Sequence, residues 1–139
     1  MDLPEVIKKI KYPGEGRPQV IKTIPEGGID FGLNLLPLEG SDAMTKELGD
    51  QLYMFSKKFC ANGIFDEQKC EKNPRTELDV YWYDFISKGI DANIYNFMAN
   101  TSVAGKEINL VCNCEASLKP IWKPVFIEVA NSIRTADAE

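Results

Sequence analysis

The sequence predicts an α+β fold, an antiparallel β-sheet of five to six strands with helices packed on it. Three observations predict it. Apolar runs of strand length recur along the chain. They are joined by short turns at Pro25-Glu26-Gly27-Gly28, Ser87-Lys88-Gly89 and Ala104-Gly105, so that neighbours form a hairpin and a meander. Two further segments repeat their apolar residues at spacings of three and four, the period of a helix with one buried face. A length of 139 residues suits one domain with a proper core. With 44% apolar and 27% charged residues, the composition is that of a globular chain.

Taken in order, residues 1–18 read as an N-terminal arm punctuated by Pro4, Pro13, Gly14, Gly16 and Pro18, and residues 19–135 as a single domain. The first strand is expected at about 19–24. The second starts at Ile29, alternating Ile29, Phe31, Leu33 and Leu35 with Asp30, Gly32 and Asn34, until Pro37 and Gly40 break it. A helix over 43–60 follows, capped by Ser41 or Asp42 and stopped at Asn62-Gly63. Its stripe of Met44, Leu48, Leu52, Phe55 and Phe59 is expected to be buried on the sheet. Residues 66–77 are nearly all polar and read as a surface loop. Strands over 78–86, 92–100 and 106–115 then form the meander. In the last, Ile108, Leu110, Cys112 and Cys114 face inward while Glu107, Asn109 and Asn113 face out. A second helix begins near Pro120 to Pro124, and Trp122, Phe126, Val129 and Ile133 form its buried stripe.

Composition also removes function classes. The chain has no histidine, the commonest general base and metal ligand. Sixteen basic residues against twenty-one acidic ones give a net charge of −5, which argues against nucleic acid as a partner, because such binders cluster Lys and Arg to neutralise phosphates. No apolar run is long enough for a transmembrane segment. The expected location is periplasmic if Met1 replaces a removed signal peptide and cytoplasmic otherwise.

The candidates for chemistry are few. Cys112-Asn113-Cys114 resembles half of a thiolate metal site, but only Cys60 and Cys70 remain to complete four ligands, so core thiols or disulfides are the better reading. A Cys60–Cys70 disulfide is expected to fasten the polar loop to the end of the first helix, leaving Cys112 and Cys114 as buried free thiols. Carboxylates in Asp66-Glu67, Asp79 with Asp84, and Glu26 with Asp30 are weak acid–base candidates because most fall in turns. Asp84 alone lies within an aromatic strand, where a bond to a Lys, a Tyr or the backbone is the plainer expectation. Gly27-Gly28 and Gly14-Glu15-Gly16 lack the ending of a phosphate-binding loop. The aromatics Tyr81, Trp82, Tyr83, Phe85, Tyr95 and Phe97 suit either an interface or, more simply, a core. We therefore expect no catalytic residue, no cofactor and no metal.

The order of elements and one C-terminal motif resemble a known family. The motif runs through Ile94-Tyr95-Asn96-Phe97, Ala104-Gly105-Lys106, Ile108-Asn109-Leu110-Val111-Cys112 and Trp122 to Phe126-Ile127-Glu128-Val129-Ala130-Asn131-Ser132-Ile133. It is similar to the ending of the PsbP-like or Mog-like superfamily: a strand, a Gly-Lys turn, a strand, and a helix with an aromatic, an aliphatic and a Ser at spacings of three. Phe126, Val129 and Ser132 match that pattern. The resemblance spans residues 78–134 and reaches the first half through element order alone. It implies a PsbP-like α/β sandwich with no shared active site, and small bacterial members linked to type VI secretion or the envelope. From it follows the expectation of a non-enzymatic protein-binding module, an immunity protein or chaperone whose partner is a secreted effector or toxin. The alternative is an envelope or periplasmic lipoprotein domain holding a lipid or small apolar ligand between sheet and helix.

Overall fold

A computed structural model describes residues 20–24, 29–74, 76–89 and 91–133; the N-terminal arm, the Pro25–Gly28 turn and Glu26 lie outside them. The elements are β1 (Val20–Ile24), β2 (Ile29–Glu39), α1 (Asp42–Phe59), β3 (Ile64–Lys72), β4 (Asp79–Lys88), β5 (Asn93–Val103), β6 (Lys106–Glu115), a 3₁₀ turn (Ala116–Leu118) and α2 (Lys119–Asn131). Among the described residues six strands form one sheet in the order β1-β2-β6-β5-β4-β3. Every neighbouring pair is antiparallel. The last strand thus returns to pair with β2, with Leu33 opposite Leu110, and joins the first hairpin to the meander. The α+β class and the antiparallel sheet are as the sequence predicts.

The turn between β5 and β6 shows how local chemistry sets register. Ala104 has φ 51° and Gly105 φ 77°, so both central residues are left-handed, the requirement of a two-residue type I′ hairpin. That turn places Val103 opposite Lys106 and fixes the rest of the ladder.

Alternation along the central strands divides the core between two faces. On one, Val80, Trp82, Tyr95, Phe97, Leu110, Cys112 and Cys114 pack with Phe126 and Ala130 of α2. Phe126 is fully buried. Its ring lies 5.5 Å from that of Phe31, 6.0 Å from those of Phe97 and Trp122, and 6.1 Å from Tyr95. Trp122, Val129 and Ile133 are partly buried around it, so the α2 stripe faces the sheet. On the opposite face α1 lies over β4 and β5. There Tyr81, Tyr83 and Phe85 are buried with Leu52, Tyr53 and Phe65 packed against them.

Five expectations are corrected. The polar segment read as a loop over 66–77 is largely β3, the edge of the sheet. Its sequence, Ile-Phe-Asp-Glu-Gln-Lys-Cys-Glu-Lys, carries charges where an edge meets water, which erases the period-two signal. Pro37 does not end β2; the strand runs to Glu39 across a register shift between Leu35 and Glu39 that accommodates a residue without an N–H.

The third concerns α1, whose apolar stripe is not its buried face. Thr45 and Gly49 are the buried residues, whereas Phe55 is 58% and Phe59 72% exposed. The helix seats on Gly49 because a Cβ there would lie 2.3 Å from the Tyr81 ring. This close approach turns the stripe sideways, with Met44, Leu48 and Leu52 half-buried. Fourth, Glu107 does not face solvent but is fully buried beneath the start of α1.

Finally, the expected Cys60–Cys70 disulfide is not formed, and all four cysteines are free thiols. Cys60 packs with Phe65, while Cys70 lies five residues further along β3, opposite Tyr81. That separation is on the order of 15 Å of extended chain, beyond the ~7 Å of Cα separation a disulfide spans. Cys112 and Cys114 are buried free thiols, as expected.

Candidate functional site

Among the described residues, three places combine polar or exposed side chains in arrangements that go beyond apolar packing. The first surrounds Asp84. Strand alternation puts this carboxylate on the apolar face beside Trp82, and it is fully buried. An isolated charge there would be costly. The β3 bulge between Phe65 and Gln68 relieves it: the Glu67 N–H donates to Asp84 Oδ1 at 2.8 Å. The Tyr95 hydroxyl donates to Oδ2 at 2.7 Å, and Lys123 Nζ of α2 stands 2.9 Å from the same oxygen. Lys123 also reaches Asp66 at 3.1 Å and Glu67 at 2.6 Å, and Lys119, one turn earlier, reaches Asp66 at 2.8 Å. The Lys123 ammonium lies 5.6 Å from the centre of the Trp82 ring and that of Lys119 5.4 Å from the Tyr95 ring.

The electrostatics follow from these contacts. Hydrogen bonds from Lys119 and Lys123 hold the Asp66 carboxyl below its ordinary value. Burial pulls Lys123 down, but its bonds to Glu67, Asp84 and Asp66 outweigh burial and leave it raised. Burial, with the bond to Asp84, raises Tyr95. Each shift fixes its group in the form it already has at neutral pH, so the cluster works as a clamp between edge strand and helix. Proton transfer requires the reverse, a pair of groups poised near the working pH.

The second place is the start of α1. The Ser41 hydroxyl caps the helix by accepting from Met44 N–H at 3.2 Å. One turn on, Thr45 Oγ1 donates to Glu107 Oε1 at 2.7 Å, and Asn100 Nδ2 donates to the Thr45 carbonyl at 2.9 Å. The second carboxylate oxygen of Glu107 is buried without a hydrogen-bond partner among the described residues. Gly40 completes the junction, since a Cβ there would meet Ser102 Oγ at 2.3 Å. Asp42 accepts from Asp79 N–H at 2.8 Å and pairs with Lys72 at 3.0 Å, contacts that lower its carboxyl.

The third place is the outward side of α1. Met54 is 66%, Phe55 58% and Phe59 72% exposed. The Phe55 and Phe59 rings stack on each other, with centroids 4.3 Å apart. Asp50, Gln51, Met54, Phe55 and Lys58 line a shallow groove of about 510 Å³. These large apolar groups stand in water on adjacent turns of the helix.

The sequence-derived candidates distribute as follows. Asp66, Glu67 and Asp84 converge in the clamp, and Asp84 finds all three expected partner types: Lys, Tyr and backbone. Asp79 does not join it; it lies on the α1 side of β4 with Lys72 at 2.9 Å. Asp30 is buried on β2, away from both pairs. The cysteines separate, Cys112 and Cys114 lying under α2 and Cys60 and Cys70 on the α1 face, so the sheet stands between the two pairs. The six aromatics Tyr81, Trp82, Tyr83, Phe85, Tyr95 and Phe97 are all core. Missed by sequence reasoning were Lys119 and Lys123, whose spacing of four gave the only hint that both point one way, and the exposed pair Phe55–Phe59, which its own periodicity disguised as core. No protein-family model matches the chain, and comparison with the curated proteins finds no match.

Proposed function

We propose that this chain is a non-enzymatic protein-binding module that receives its partner on the outward side of α1. The observation that supports this reading is the exposed trio Met54, Phe55 and Phe59, in a chain whose central strands bury every other large aromatic they carry. Exposed aromatic and Met side chains are the material of interface hot spots. The net charge of −5 suits a partner with a basic surface. Within this class the role we favour is that of an immunity protein or chaperone for a secreted effector, with the PsbP-like architecture as its frame. The alternative, an apolar ligand between sheet and helix, meets space already filled by Phe126, Trp82, Tyr95 and Phe97.

The test is affinity capture from the source cells with the native chain and with Phe55→Asp/Phe59→Asp, followed by titration of the purified captured protein against both. A hot-spot pair should account for at least a hundredfold in affinity, roughly 3–4 kcal/mol. Equal binding to both forms would overturn the placement of the site.

A further inference from the structure

We infer that the outward line of α1 is built to pair with a second copy of this chain, antiparallel, about a two-fold axis. Glu47, Gln51, Met54 and Lys58 are all exposed and follow one another at spacings of four, three and four residues, which keeps them on one line along the helix. The line is symmetric in spacing and opposite in charge at its ends. Run against itself with the axis between Leu52 and Tyr53, it sets Glu47 of one copy level with Lys58 of the other, about 8 Å from the axis at 1.5 Å per residue. Gln51 falls opposite Met54 beside the axis, where the shallow groove of Asp50, Gln51, Met54, Phe55 and Lys58 is available to receive the facing Met54.

Two equivalent ion pairs therefore arise from one Glu and one Lys, the economy of an isologous interface. Neither residue spends its charge at home: among the described residues the ion pairs of this face are Lys72 with Asp42 and Asp79. A parallel pairing would set Glu47 against Glu47 and Lys58 against Lys58, so the same charges select the antiparallel arrangement. A single pair of helices buries less than a standard interface, so the dimer is a weak one, with a dissociation constant on the order of 100 µM. This goes beyond the partner reading and does not depend on it, since a strong heterologous partner on Phe55 and Phe59 would replace the second copy.

Sedimentation equilibrium of the full chain from 10 µM to 1 mM, in low salt, tests the inference. The native chain should show a reversible monomer–dimer equilibrium. Glu47→Lys or Lys58→Glu alone should each weaken it about tenfold by replacing two attractions with two repulsions, and the double variant Glu47→Lys/Lys58→Glu should return to within about threefold of native. Circular dichroism of each variant confirms folding, which these exposed positions do not support. A native chain monomeric at 1 mM would overturn the inference and leave the face to a different protein. So would a dimer indifferent to the single reversals, or a double variant that fails to regain what the singles lost.

Discussion

Helices α1 and α2 lie on opposite faces of one sheet and differ in what their apolar residues do. In α2 the stripe and the buried face coincide, and Phe126 meets four aromatic rings. In α1 they diverge: small residues, Thr45 and Gly49, touch the sheet, while Phe55 and Phe59 stand in water. A helix seats where its backbone can approach most closely and where its polar contacts are met, and Gly49 over Tyr81 with Thr45 on Glu107 decides the seating of α1 against its own hydrophobic periodicity. Both helices expose apolar residues, Ile121 and Val125 on α2 and Met54, Phe55 and Phe59 on α1, but only on α1 do they include residues of the helix's own stripe.

The contrast can be broken most forcefully at Phe126. Phe126→Ala should destabilise by about 3–5 kcal/mol in urea titration, whereas Phe55→Ala and Phe59→Ala should each stay within about 0.5 kcal/mol of native. Comparable losses at both sites would mean that α1 packs as its stripe suggests. Next in size is Asp84→Ala, which leaves the Tyr95 hydroxyl and the Glu67 N–H without their acceptor and takes from Lys123 the most buried of its three carboxylate partners; it should cost about 3–5 kcal/mol, with a smaller loss for Lys123→Met because part of its apolar stem is retained. Gly49→Ala sharpens the comparison: helix propensity alone favours Ala by about 1 kcal/mol, but the clash with Tyr81 should reverse the sign and destabilise by about 1–3 kcal/mol. Smallest is Ala104→Asn, which suits the left-handed turn and should stabilise by about 0.5–1 kcal/mol.

Stability should also report the clamp through pH. Asp42 and Asp66 are lowered in the folded state, so their contribution is present above the unfolded value of 3.8 and is lost as pH falls through the folded values beneath it. Lys72 and Lys123 are raised, so theirs is complete below 10.5 and is lost as pH rises through the folded values above it. Burial raises the Cys114 thiol to about 11 and the Tyr81 hydroxyl to about 12, so ionisation of the unfolded chain adds to the alkaline loss from about pH 9. Chemical denaturation should show a plateau near pH 5–8, a fall below pH 4 and a second fall above pH 9.

What could be read from the sequence was whatever had a period. Five strands, helices α1 and α2, the Ala104-Gly105 turn and the inward placement of Cys112 and Cys114 follow from alternation, helical spacing and turn chemistry. β3 was illegible because an edge strand has little to bury and carries charge against unwanted pairing. The orientation of α1 was illegible because it depends on a glycine against a ring supplied by β4, a contact 32 positions distant that no local pattern encodes. Of the clamp, Asp84 stood out as a charge among aromatics, and the expectation that it is held by a Lys, a Tyr or the backbone named all its partners in kind. Their identity required the fold, which brings α2 against a bulge more than fifty residues earlier in the chain.

The separation of roles between the helices is tested most directly by one paired experiment on Phe55→Asp/Phe59→Asp: urea denaturation alongside titration of the captured partner. The predicted result is a stability within about 1 kcal/mol of native together with a loss of at least a hundredfold in partner affinity. A variant that unfolds, or one that keeps both its stability and its affinity, would contradict the assignment of α1 as the face turned outward for binding.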